Sequence, residues 1–142
     1  MSKDLRHFIN HLDCNSPETL VRVQKPVNTK WELSSVVHKL QSKELWPVLL
    51  FESVKGHSMP IIINLFATRK LMALALETTV DQMLKKCVDC IERPIKPIMV
   101  NSGPVKDVIV TGEQVDLGKL PLVWQCEKDA GPYINAGVTI VR

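Results

Sequence analysis

The sequence predicts an α+β fold, with a β-hairpin set among amphipathic helices and followed by a Pro- and Gly-rich extended stretch. Three observations carry this. Residues 48–76 hold an apolar run, the polar turn Lys55-Gly56-His57-Ser58, a second apolar run and then a Leu-, Ala- and Met-rich segment. The second run contains Ile61-Ile62-Ile63, a β-branched triplet suited to a pleated, buried surface. Five of the nine prolines and five of the six glycines lie at or beyond Pro94. Helices are disfavoured there, because Pro lacks a backbone donor and Gly costs about 1 kcal/mol inside a helix.

The elements follow in order. Leu5, Phe8, Ile9 and Leu12 recur at helical spacing, with Ser2 as the expected cap. Residues 20–23 read as a strand. Thr29 and Glu32 have the spacing of a capping box, after which Leu33, Val36, Val37 and Leu40 line one helical face. The hairpin spans residues 48–54 and 60–66, and residues 69–77 continue as a helix of strong helix formers. Thr79 and Gln82 offer a second capping box. Beyond it Met83, Leu84, Cys87, Val88 and Ile91 continue an apolar face to Glu92. Residues 94–97 read as an extended linker, 106–111 as a strand, 116–121 as a turn and 133–141 as a strand interrupted by Gly137. That last strand runs to Arg142 without a turn, cap or polar tail. An edge without such protection is unusual, and the chain is expected to be truncated there.

At 142 residues the chain is of single-domain size, and 45% apolar content argues against disorder. Net charge is +3, and the longest basic cluster is Lys85-Lys86, which gives no footprint for nucleic acid. No run approaches the roughly 18 apolar residues of a membrane span. Residues 1–6 show no apolar export segment. Cys14, Cys87, Cys90 and Cys126 then read as reduced thiols in a cytoplasmic protein.

The candidate chemistry is thin. Cys87 and Cys90 form a CxxC, the spacing of redox and zinc sites. They fall inside an amphipathic helix, and Cys14, Cys126 and the histidines are too scattered to complete a metal set. Cys87 as core and Cys90 as bystander is the simpler reading. His57 at its turn is a potential general acid or base, but no carboxylate or nucleophile stands beside it in sequence, and a solvated turn residue accounts for it. Gly56 belongs to no phosphate-binding motif and reads as a turn glycine. Met59, Met72 and Met83 read as core filling. Between Gly131 and Gly137, Asn135 stands at a strand entry where a ligand approaching the backbone, or a β-bulge, would need glycines. No residue of the chain is assigned as catalytic or metal-ligating.

Several stretches carry a resemblance. They are Phe51-Glu52-Ser53-Val54-Lys55-Gly56-His57, Met59-Pro60, the segment 64–76, Asp4-Leu5-Arg6-His7-Phe8, Ser102-Gly103-Pro104-Val105-Lys106, residues 115–121 and residues 129–134. In composition and order they resemble the N-terminal portion of the UbiD family of decarboxylases. The resemblance implies a mixed α/β domain over residues 1–100. The first strands of a split β-barrel flavin-binding domain would follow over 101–142. It further implies reversible decarboxylation of aromatic or α,β-unsaturated acids with release of CO2. The family does this on a prenylated FMN held with Mn2+ and K+, in an enzyme that is a homo-oligomer at full length. The family's Glu-Arg-Glu network and its metal ligands have no matching positions in this sequence. Asn135 alone transfers, to a place where relatives often carry a flavin-pocket Thr. The fragment itself is then expected to be inactive and to bind none of these groups. The other reading is a stand-alone, non-catalytic binding or assembly subunit of a multi-subunit (de)carboxylase.

Overall fold

A computed structural model describes residues 4–134. The central element is β2 (Val48–Phe51), whose four residues are all buried. β1 (Leu20–Val23) pairs with it in parallel and β3 (Ile61–Ile63) antiparallel, giving the order β1-β2-β3. A strand covered on both faces reads as an unbroken apolar run rather than an alternation, and Val48-Leu49-Leu50-Phe51 is such a run.

The period-2 alternation of side chains sorts these residues into two cores. Leu49 and Phe51 face one side with Val27, Leu33, Val54 and Val123. Their register partners Ile63 and Ile61 pack on that same side. Val48 and Leu50 face the other side with Leu12, Leu20 and Leu71, and Leu50's partner Ile62 packs there too. The first core is roofed by α2 (Glu32–Gln41), through Leu33, Val36, Val37 and Leu40. The second is roofed by α1 (Leu5–Asn15) and α3 (Arg69–Ala75). The domain is therefore a three-layer α/β/α sandwich around a small sheet.

β1, α2 and the apolar face of α1 stand where the sequence placed them, and the hairpin does so with shorter strands, the second ending at Ile63 rather than at residue 66 because Asn64 turns into the left-handed region at φ 63°. The helix starts differ. Asp4 caps α1, its carboxylate accepting the His7 N–H at 2.8 Å; the expected cap, Ser2, lies outside the described residues. Thr29 does not cap α2. The N-cap is Trp31, in the left-handed region at φ 66°, and it makes no side-chain cap bond. Glu32 still reaches back, but to the Asn28 N–H at 2.8 Å. At α4 (Met83–Glu92) the cap is Gln82, again without a side-chain bond, so the second capping box is also absent. Thr68 is a side-chain cap that sequence pattern did not reveal, accepting the Leu71 N–H at 3.2 Å.

The strand expected at 106–111 does not form. Pro104–Lys106 is a 3-10 turn, and Val108, Ile109 and Val110 stand exposed without a partner strand. A β-branched run suits a ladder but does not make one; among the described residues no strand pairs with it. The methionines are likewise not core: Met59 and Met72 are exposed and Met83 is half-buried. Residues 94–97 carry no regular structure, and Leu117–Lys119 forms a turn closed by Asp116, whose carboxylate accepts the Gly118 N–H at 2.8 Å.

Candidate functional site

The residues singled out by sequence are not assembled into a site. His57 is half-buried at the hairpin turn, and its Nδ1 lies 3.2 Å from the Lys119 carbonyl, so it ties two turns together and meets no titratable partner among the described residues. Gly56 takes φ 80°, as a tight turn demands. Cys87 is half-buried and belongs to neither core, while Cys90 is exposed. Among the described residues no three of His, Cys, Asp and Glu are grouped to hold a metal ion. Asn135 lies outside the described residues.

Three features were not foreseen. The first is a pocket of about 290 Å3 between α1 and α3, walled by Leu5, Phe8, Leu65, Phe66 and Leu74. The Phe8 and Phe66 rings stack across it, 6.5 Å between centroids. His7, His11, Asp4 and Glu77 also line it. An apolar pocket of this size accepts one small ring, at the low end of ligand sites. The second is an ionic tie at the sheet edge. Arg22 on β1 hydrogen-bonds the carboxylate of Asp13 and, at 2.6 Å, that of Glu52. The two carboxylates, Asp13 first, hold the guanidinium still more firmly protonated than usual.

The third feature joins distant parts of the chain. Val123 is buried in the first core. Next to it, the Trp124 N–H donates to the Thr29 carbonyl at 3.1 Å, and the Trp31 N–H donates to the Trp124 carbonyl at 3.2 Å. The Lys30 ammonium sits between two indoles, 4.7 Å from the Trp31 ring centroid and 5.1 Å from that of Trp124. A bulky residue at positive φ costs about 1–2 kcal/mol, and Trp31 is held there by this pairing and by three donors from Ser34 and Ser35 to its carbonyl. The indole Nε1 of Trp124 and the Nδ2 of Asn64 are buried and find no hydrogen-bond partner among the described residues. Tyr133 pairs back onto Val123, and its phenol is pushed up by desolvation, with Asp129 and Cys126 adding to the effect. The adjacency of Lys30 and Trp31 was visible in sequence; their partner Trp124 was not, because no local periodicity links such distant positions.

Residues 12–91 match the family model of the 3-octaprenyl-4-hydroxybenzoate carboxy-lyase N-terminal domain. Residues 97–142 match the model of the Rift-related domain of the same carboxy-lyase. The chain belongs to the UbiD family. Solved structures agree. An evolved dimeric form of the UbiD-class enzyme HmfF from Pelotomaculum thermopropionicum, in complex with prFMN, is 34% identical with TM-score 0.82. The match covers 94% of this chain and 30% of that one. Vanillic acid decarboxylase from Sedimentibacter hydroxybenzoicus, in closed form, is 25% identical with TM-score 0.76, over 94% of this chain and 29% of that one. The fold is shared at 23% identity by 3,4-dihydroxybenzoic acid decarboxylase of Klebsiella pneumoniae, with TM-score 0.76, over 91% of this chain and 29% of that one. This UbiD chain thus spans about 30% of the length of the enzymes it matches.

The described residues do not fit the family's flavin. The pocket between α1 and α3 has room for one small ring and is lined by Asp4 and Glu77 beside His7 and His11, and among the described residues no three His, Cys, Asp or Glu are grouped to hold the metal ions of a flavin phosphate. No helix among the described residues is long and apolar enough to cross a membrane.

Proposed function

We propose that this chain is the scaffold portion of a UbiD-type reversible decarboxylase, acting on aromatic or α,β-unsaturated carboxylic acids and releasing CO2. It supplies a mixed α/β domain over residues 1–100 and the opening of the flavin-binding split barrel over 101–142. The observation that carries this reading is the succession of the two family domains over residues 12–142, in a chain that spans about 30% of its matched enzymes. A second observation supports it. Ile95, Ile98, Met99, Val105, Val108 and Ile109 all stand more than 70% exposed along one stretch. That many exposed apolar side chains in one stretch of chain call for a partner, and the remainder of a UbiD-length polypeptide is such a partner.

In this reading the acid–base and metal-binding groups lie in the rest of the enzyme, which carries the prenylated FMN, Mn2+ and K+ and assembles as a homo-oligomer in the cytoplasm. The cofactor performs the decarboxylation chemistry, and the protein positions and shields it. Asn135 borders the flavin pocket. The chain's own residues hold the barrel's first strand in place and perform no proton transfer. Reading the encoding DNA past codon 142 tests this directly. An open frame carrying an Asn-Xaa-Xaa-Xaa-Xaa-Arg-like stretch within about two dozen codons, the family spacing implied by the resemblance, supports the scaffold reading. A stop codon directly after Arg142 favours a stand-alone assembly subunit instead.

A further inference from the structure

The Lys30–Trp31–Trp124 cluster lies across the boundary between the two family domains. Lys30 and Trp31 belong to the segment matched as the N-terminal domain, and Trp124 to the segment matched as the Rift-related domain. Between them, residues 93–102 are exposed throughout and form no helix or strand, and residues 104–119 are exposed with only short 3-10 turns. A linker of that kind fixes neither the distance nor the orientation of the chain beyond it. The fixing falls to the short segment 119–124.

That segment is held at three places. Lys119 offers its carbonyl to His57, Val123 enters the first core, and Trp124 pairs with Thr29 and Trp31 on both its backbone groups. Lys30 adds a cation between the two indole faces. A cation beside an aromatic face is attracted by the ring quadrupole, and indole is the strongest such ring. The backbone pairing is made with Trp31 at positive φ, and the cation held on its ring favours that placement. Tyr133, which pairs onto Val123, is the point from which the chain runs on toward Asn135.

We propose that Lys30, Trp31 and Trp124 form a latch that fixes the Rift-related segment on the N-terminal domain, with Lys30 as its positioning residue. The consequence for the flavin site, that the latch sets where the barrel's first strand begins, rests on the proposed scaffold function. The latch itself does not.

Native-state hydrogen exchange on the 142-residue chain tests it. Lys30→Met keeps the aliphatic stem and removes the charge, and Lys30 is exposed, so the fold is retained. Exchange at the amides of Trp31, Trp124 and Tyr133 is expected to rise about tenfold in this variant. Exchange at Leu50 and Phe51 in the central strand stays unchanged. Lys30→Arg, which restores a cation over both rings, returns the wild-type rates. Trp124→Phe, which keeps a weaker ring, gives an intermediate rise. No acceleration in Lys30→Met, an equal acceleration of the central strand, or a local acceleration that Lys30→Arg does not reverse overturns the proposal. Failure of the scaffold function would appear in the reading frame and leave these exchange rates untouched.

Discussion

Gly56 and Phe51 are the residues whose roles follow most directly from their surroundings. Gly56 takes φ 80° with no atom within 4 Å of an added Cβ, so space is free and only backbone strain opposes a side chain. Gly56→Ala is expected to cost about 1–2 kcal/mol, read as a shift of the urea midpoint. Phe51 is fully buried at the middle of the first core. Phe51→Ala is expected to cost about 3–5 kcal/mol in the same measurement, through lost burial and the cavity left behind. Glu18 gives a pH-dependent case. A hydrogen bond from Lys70 holds its carboxyl below the ordinary value. The lowered value means the tie contributes fully above the ordinary glutamate range and is lost as pH falls through the folded value. Glu18→Gln should therefore be slightly less stable than wild type at pH 7 and indistinguishable from it well below the folded value. Both groups are exposed, so the effect is small and screened by salt.

The elements were legible wherever pattern and burial agree. β2 was readable because an uninterrupted apolar run of strand length has few other homes, and α2 because Leu33, Val36, Val37 and Leu40 share one face that meets the first core. The caps were not legible. Thr29 and Glu32 have capping-box spacing, but the long-range pairing of Trp31 with Trp124 moves the helix start to residue 32 and puts Trp31 at positive φ. Local propensity lost there to a tertiary contact that no local window contains. The caps can be told apart by substitution. Thr68→Ala should destabilise by about 1 kcal/mol, and Thr29→Ala by a few tenths at most; thermal unfolding of the two variants checks the difference. The strand expected at 106–111 failed for a complementary reason. Its β-branched composition was real, but a strand exists only with a neighbour, and the described chain brings none to Val108, Ile109 and Val110.

At the scale of the molecule, a closed sandwich and an uncovered apolar stretch belong to the same chain. The two cores are complete within residues 8–74 and Val123, which is why the fold was largely readable from the first hundred residues. The candidate site was readable only through family resemblance, because the described residues contain no constellation of acid, base and metal ligand to read. The exposed apolar stretch carries its own expectation. Ile98 and Ile109 stand 87% and 71% exposed, so the isolated chain should self-associate as concentration rises. Replacing both by Lys should reduce light scattering while changing stability by less than about 0.5 kcal/mol each. The central claim is that this chain positions the chemistry of a UbiD enzyme without performing it. The most direct measurement is to incubate the purified 142-residue chain with prenylated FMN, Mn2+ and K+, then assay CO2 release from a panel of aromatic and α,β-unsaturated acids. No retained flavin after gel filtration and no CO2 above the protein-free control is the predicted result; flavin retention with turnover of any of these acids would contradict it.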